Sequence, residues 1–334
     1  MKKRLLFLII PIFAFLVVGC GKTNEKSVFN SLVKNIENSK GYHLSGIMEI
    51  INNEDSYTYD IDVSYEKDDN FRVSLKNQVN NHEQIILKNK EGVYVLTPSL
   101  NKSFKFQSEW PYNNSQAYLL QTLIKDLKND SNKKFTELEN GYMFNCKVEY
   151  SNNKELVSQN IYLDKNLNIT KVEVLDNANQ VQIKVEFKDY DLKSTFDDKY
   201  FTLSENMNST THEEIKTTSK IEDIVYPMYI PSNTYLSSQD TVSLEDGERV
   251  ILTFSGDENF TLIQETVNIS SNLDITEMAG DFYLLSDTVG AVTDYSVDWI
   301  SNGVEYYLVS ETLGQDELLK VAKSIGSLPV AKVK

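Results

Sequence analysis

The sequence predicts an α+β protein, with a curved and incompletely covered antiparallel sheet followed by a small α+β domain. Three observations predict it. Apolar and polar residues alternate over much of residues 42–187, the period of a sheet with one dry face. Turn residues recur roughly every 12 positions through residues 150–180, the pitch of an antiparallel meander. Only two helical stretches accompany roughly ten strands, so a sheet that cannot be fully covered is expected to bend.

The N-terminus reads Met1-Lys2-Lys3-Arg4, followed by residues 5–18 without a charge. Basic residues ahead of a short apolar run make a secretory leader, predicted over residues 1–19. The run is too short for a membrane span, since a helix needs about 20 residues to cross the hydrocarbon. It ends at Val17-Val18-Gly19-Cys20-Gly21, where small residues leave the backbone open to a lipoprotein signal peptidase. The Cys20 thiolate is the one strong nucleophile there, so a covalent diacylglycerol on Cys20 is expected. No other cofactor and no metal is expected. Acyl chains contribute about 0.8 kcal/mol per buried methylene, and two or more make a stable tether. The predicted place is the outer face of the cytoplasmic membrane, with residues 20–27 as a polar leash.

Loss of Lys2, Lys3 and Arg4 with the leader lowers the basic count from 33 to 30, against 49 acids, a net charge of −19. Such a body repels phosphate backbones and anionic headgroups alike, which excludes nucleic acid and leaves the tether to hold the membrane. Cys146 is then the one remaining cysteine, so no intramolecular disulfide forms. Packed cores must supply the stability, and 40% hydrophobic and 11% aromatic residues are enough to build them.

Residues 28–40 place Val28, Leu32 and Ile36 on one helical face, and Gly41 ends the run. The period then becomes two. Tyr57, Tyr59, Ile61, Val63 and Tyr65 alternate with polar residues, and further strands follow at 71–75, 84–87, 93–97 and around Phe104 and Phe106. Trp110-Pro111 breaks the sheet, and residues 115–127 read as an amphipathic helix with Ser115 as N-cap. Asn140-Gly141 predicts a two-residue hairpin. Tyr142, Phe144, Cys146, Val148 and Tyr150 then share a face, and Val181, Ile183, Val185 and Phe187 close the series. Residues 28–203 therefore form one domain. Residues 204–220 are poor in apolar residues and read as a linker. Residues 221–334 form the small domain, with hairpin turns at Asp246-Gly247 and Asn302-Gly303. Residues 316–325 form a helix that is acidic at its start and stopped by Gly326.

Catalytic chemistry is hard to place. His43, His82 and His212 stand far apart, outside any metal-ligand spacing, and no phosphate-loop, dinucleotide or nucleophile-elbow motif occurs. Paired acids such as Asp68-Asp69 point to opposite faces or into solvent. Cys146 alternates with apolar neighbours and reads as a buried thiol. The chain is expected not to be an enzyme. Tyr57, Tyr59, Ile61, Val63, Tyr142, Phe144, Val148, Ile183 and Val185 are the candidate lining of an apolar concavity. Such a face is more often core than ligand wall, yet a sheet short of helices favours a greasy hollow.

Between residues 84 and 128 the strings Leu87-Lys88-Asn89, Gly92-Val93-Tyr94-Val95-Leu96-Thr97-Pro98, Asn101-Lys102-Ser103-Phe104, Phe106-Gln107-Ser108 and Trp110-Pro111 resemble sporulation-associated YdcC-type lipoproteins. These belong to the wider LolA/LolB-like lipoprotein-carrier superfamily. The likeness covers about residues 1–205. Residues 221–334, with Tyr229-Ile230-Pro231 and the Trp299 hairpin, are similar to a small domain of unknown function on exported Firmicutes proteins. The resemblance implies a strongly curved, LolA-like antiparallel half-barrel partly closed by helices, and a place in sporulation or spore-envelope assembly, at the cytoplasmic or spore-envelope membranes. An anchored chain cannot shuttle as carriers do. Two expectations follow. One is a surface-tethered protein holding an acyl chain or apolar segment in the half-barrel. The other is a scaffold that docks an envelope or membrane protein, such as a peptidoglycan-processing enzyme, without lipid cargo.

Overall fold

The computed structural model describes residues 24–52, 55–151, 153–208, 219–269, 273–285 and 287–325. The leader, Cys20, His212, most of the linker and Gly326 lie outside the described residues. Helix α1 (Glu25–Glu37) starts three residues before its predicted position, because the Asn24 side chain accepts from the Ser27 amide at 2.8 Å and caps it. It buries Val28, Leu32 and Ile36, the predicted stripe. Strands β1 (Gly41–Asn52), β2 (Asp55–Glu66), β3 (Asn70–Asn77), β4 (Glu83–Asn89), β5 (Gly92–Thr97) and β6 (Lys102–Phe106) run as an antiparallel meander.

Helix α2 (Leu120–Asn129) is shorter than the sequence pattern predicts. Ser115 does not cap it. Its hydroxyl instead accepts from the Glu149 amide at 2.8 Å, and the Ser115 amide donates to the Glu149 carbonyl, so this stretch pairs with Glu149 rather than starting the helix. Strands β7 (Lys134–Leu138), β8 (Gly141–Lys147), β9 (Leu156–Asp164), β10 (Ile169–Asp176) and β11 (Val181–Asp191) complete the meander, and β11 returns to pair with β1. The β7–β8 turn is Glu139-Asn140, one residue earlier than the sequence suggests. Gly141 is already in β8 beneath β9, where a Cβ would lie 1.8 Å from the Leu163 carbonyl oxygen. Close approach of two strands, rather than a turn, requires that glycine.

After β11 the chain crosses the outer face of the sheet. Phe196, Tyr200, Phe201, Leu203 and Met207 cover Ile85, Leu87, Tyr94 and Leu96, so β4 and β5 are buried on both sides. This crossing includes α3 (Leu203–Met207), whose buried Asn206 accepts from Arg72 Nε at 2.7 Å. Contacts with the first sheet therefore continue to Met207, inside the span 204–220 that the composition marks as linker.

The second block contributes β12 (Thr234–Leu244), β13 (Gly247–Gly256), β14 (Phe260–Thr266), β15 (Asp274–Met278), β16 (Asp281–Leu284), β17 (Val289–Val292), β18 (Ser296–Ser301), β19 (Val304–Val309) and α4 (Gln315–Lys323). Seven of these strands form an antiparallel sheet in the order β12-β13-β14-β19-β18-β17-β16, packed on α4 through Trp299, Leu318, Leu319 and Ala322. At the β18–β19 hairpin, Asn302 and Gly303 both have positive φ, as an Asn-Gly turn requires. The eighth strand goes elsewhere. Strand β15 pairs parallel to β6 and becomes the twelfth strand of the first sheet, whose order is β15-β6-β5-β4-β3-β2-β1-β11-β10-β9-β8-β7. The ends do not meet, so the fold is mostly strand with open, curved sheets and four helices among the described residues.

Candidate functional site

The nine residues proposed to line a concavity do share one face. Across β1, Leu44 pairs with Val63, Gly46 with Ile61, Met48 with Tyr59 and Ile50 with Tyr57. On its other side, Met48 pairs with Val185 and Ile50 with Ile183. Farther along, Phe144 pairs with Ile161 and Tyr142 with Leu163. Because side chains alternate with period two, these registers put the strand residues among them inward, and Val148, just past β8, packs against the same core.

That inner face is packed. Val63, Phe144 and Val185 have 0% exposure, and Tyr59, Ile61 and Tyr142 are buried. Tyr57, Val148 and Ile183 are half-buried against the same core. Three covers produce this burial. Helix α1 lays Val28, Leu32 and Ile36 on it, with the Phe29 ring edge-on to Phe144 at 6.3 Å. Helix α2 adds Leu120, Leu123, Ile124 and Leu127. The third cover comes from the second domain. Phe282 on β16 sits 5.3 Å from Phe106 and 5.8 Å from Trp110, and Val289 and Ala291 on β17 join the first core. An aromatic chain thus runs from Tyr42 through Tyr65, Phe71 and Trp110 to Phe282, crossing the domain boundary.

The domain contact has its own polar clamp. Gln84, 4% exposed, donates from Nε2 to the Val289 carbonyl at 3.2 Å and accepts on Oε1 from the Val289 amide at 2.6 Å. The Thr288 hydroxyl donates to the same oxygen at 3.0 Å. Lys102 Nζ and Glu305 Oε2 form an ion pair of 2.6 Å across the boundary. Beside it, burial pushes the Asp298 carboxyl up to about 7, Glu305 raises it further and Lys102 opposes. Sequence reasoning missed Gln84 and Phe282. Gln84 sits in an apolar strand, Gln84-Ile85-Ile86-Leu87, where a buried amide leaves no periodic trace.

The Cys146 thiol is buried and pushed up to about 12, with Gln159 Nε2 donating to its sulfur at 3.6 Å. Gln159 also donates to Asp126 Oδ2 at 2.9 Å, and burial pushes that carboxyl up to about 6. His43 Nε2 lies 2.7 Å from Asp62 Oδ2, a hydrogen bond that raises the imidazole pKa. Burial lowers His82 to about 4. Among the described residues no group of three His, Cys, Asp or Glu is placed to hold a metal ion, and no helix is long and apolar enough to cross a membrane. On the outer face, a shallow cleft of about 420 Å³ is lined by Ser45, Gly46, Asp60, Asp62, Ser74, Lys76 and Lys188, with Ile61 and Glu83 completing it. Its charges are mixed. Asp62 is held by His43 and by Arg72, and Asp60 by Gln78.

Among solved structures, the MucA/MucB complex of Pseudomonas aeruginosa aligns with 88% of this chain and 97% of that chain, at 13% identity and a TM-score of 0.34. A LolA superfamily protein from Nitrosomonas europaea aligns with 53% of this chain and 98% of that chain, at 10% identity and a TM-score of 0.30. Superpositions this loose carry no argument about the chain. The sequence matches do. A family profile described as sporulation protein YdcC-like matches residues 1–201. The sporulation protein YdcC of Bacillus subtilis (strain 168) is 35% identical over 329 residues, covering 97% of each chain. On both grounds, the chain belongs to the sporulation protein YdcC-like family.

Proposed function

We propose that this chain is a non-enzymatic adaptor of sporulation, lipid-anchored through Cys20 at the outer face of the cytoplasmic membrane or at spore-envelope membranes. It docks an envelope protein through its outer surfaces. The burial of the inner face carries this reading: Val63, Phe144 and Val185 expose nothing to a guest. The family membership supports the place in sporulation. Cys20 and its diacylglycerol supply the tether, and the strongly acidic body leaves headgroup attraction no part in it.

A second reading, an acyl chain held against the inner face, is favoured by one observation. The cover is made of separable pieces, α1 at one end of the domain and β16–β17 from the other domain. Magnitudes weigh against it. Burying roughly ten methylenes supplies about 8 kcal/mol. Lifting α1 exposes Val28, Leu32 and Ile36. At about 1.5–3 kcal/mol for each side chain, that offsets most of the gain before any ordering cost.

Native mass spectrometry of the protein extracted from membranes of sporulating cells tests the choice. A stoichiometric protein partner, with no acyl lipid beyond the covalent anchor, is the expected result. A non-covalent acyl lipid at one per chain, with no protein partner, overturns it.

A further inference from the structure

The two sheets expose four edges, and one is unlike the others. Strands β7, β15 and β16 have five, five and four residues, and each carries an acidic residue. Strand β12 has eleven residues, reads TYLSSQDTVSL, and contains one charge, no lysine and no proline. Nine of its eleven residues are exposed, and among the described residues β13 is its one strand neighbour. Backbone donors and acceptors along a long, nearly uncharged edge are a template for another strand, which proteins ordinarily block with lysine, proline, brevity or a bulge; β12 has a bulge between Leu236 and Ser238, and Ser238–Leu244 run in unbroken register beyond it. The segment just before β12 adds apolar surface: Met228 is 88% exposed and Ile230 is exposed, next to Tyr235 at 63% on the strand itself. Tyr226 joins the two, its hydroxyl donating to Gln239 Oε1 on β12 at 2.5 Å. Protruding apolar groups concentrated on one stretch mark a protein contact.

The charge around this edge selects the partner. Residues 234–258 hold six acids, Asp240, Glu245, Asp246, Glu248, Asp257 and Glu258, against Arg249 alone. That arginine is committed to Glu265, with Nε–Oε2 at 2.6 Å. A second copy would set the same acids against themselves. We propose that β12 is a docking edge on which an extended, basic segment of a partner protein pairs as an added strand. Backbone hydrogen bonds would supply affinity, alternate apolar side chains would meet Tyr235 and Val242, which the register puts on one face, and cationic residues would meet the acidic hairpin. The assignment rests on the docking reading above and locates it.

Three labelled nine-residue peptides test this by fluorescence anisotropy against the full chain in detergent. One alternates lysine and valine, one glutamate and valine, and one is the lysine peptide with a central proline. The lysine–valine peptide binds, roughly tenfold or more tighter than either control, and weakens with added salt. Tyr235→Lys with Val242→Lys abolishes that binding without a change in melting, since both side chains are exposed. Asp240→Lys weakens it independently. Equal binding of all three peptides, or binding that survives the lysine substitutions, overturns the assignment. So does a dimer, seen by sedimentation, that Tyr235→Lys dissolves. The partner seen by native mass spectrometry separates the two proposals. If the lysine variants retain it, docking stands and this edge is wrong; if no partner exists for the unaltered chain, docking itself fails.

Discussion

Gln84 and Val289 hydrogen-bond as two backbones would: the side-chain amide of one, on β4, donates to and accepts from the main chain of the other, on β17, at 3.2 and 2.6 Å. The pair is buried and spans 205 residues of sequence. It fixes the second domain against the first sheet at the point where β16 and β17 lean on the inner face. Gln84→Leu leaves the Val289 amide and carbonyl buried without that partner, at about 1–3 kcal/mol for each group. A lowered melting temperature, with faster proteolysis between the domains, is the expected outcome, and unaltered melting would refute the clamp.

Phe144, on the strand beside the β7 edge, is fully buried between Phe29 and Phe135. Phe144→Ala therefore costs about 3–5 kcal/mol in urea unfolding. Ile61→Asp costs more, because it buries a charge with no arranged partner. Val79, 73% exposed, is the control, and its alanine variant should stay within about 0.5 kcal/mol of the parent.

Gly141 is required by contact rather than by φ. An added methyl meets the Leu163 carbonyl, so Gly141→Ala must push β8 away from β9. Loss of amide-exchange protection in both strands is the readout. Retained protection would show that the strands are less closely set than described.

Asp298 gives stability a pH dependence. Its carboxyl titrates near 7 in the folded chain against an ordinary value of 3.8. Between those values the folded form keeps a proton that the unfolded form has lost, so stability falls as pH rises from about 4 to about 7. Asp126, raised to about 6, contributes in the same direction over a narrower window. Asp298→Asn should raise the melting temperature at pH 8 by a few degrees, change it little at pH 4, and leave the smaller Asp126 slope. An equal effect at both pH values would contradict the assignment.

The Cys20 tether is tested by fractionation. Cys20→Ser is expected to move the protein from the membrane pellet to the released fraction. Full retention in the pellet would exclude lipidation as the anchor.

What could be read from sequence divides along physical lines. The period-two stripe of Tyr59, Ile61 and Val63 and the helical stripe of Val28, Leu32 and Ile36 are local patterns, and each sits on the face its period predicts. Turn positions were less legible. Asn140-Gly141 and Asp246-Gly247 look like turn pairs, but Gly141 and Gly247 are strand residues placed where a neighbour crowds the backbone. Long-range choices were not legible at all. Nothing local in residues 274–278 shows that β15 leaves its own sheet to pair with β6, and nothing local marks Phe282 as a lid on Trp110. The two helices predicted for the first sheet leave part of it bare, and β16 and β17 supply the missing cover.

On the reading proposed above, packing closes the inner face to guests. Methyl-labelled protein titrated with a spin-labelled fatty acid tests it most directly, since a paramagnet broadens only the methyl signals it approaches. With the covers in place, the signals of Ile61, Val63 and Val185 keep their widths while exposed methyls such as those of Val79 report any surface contact. Selective, saturable broadening of Ile61, Val63 and Val185 would contradict the account and make this protein a lipid carrier.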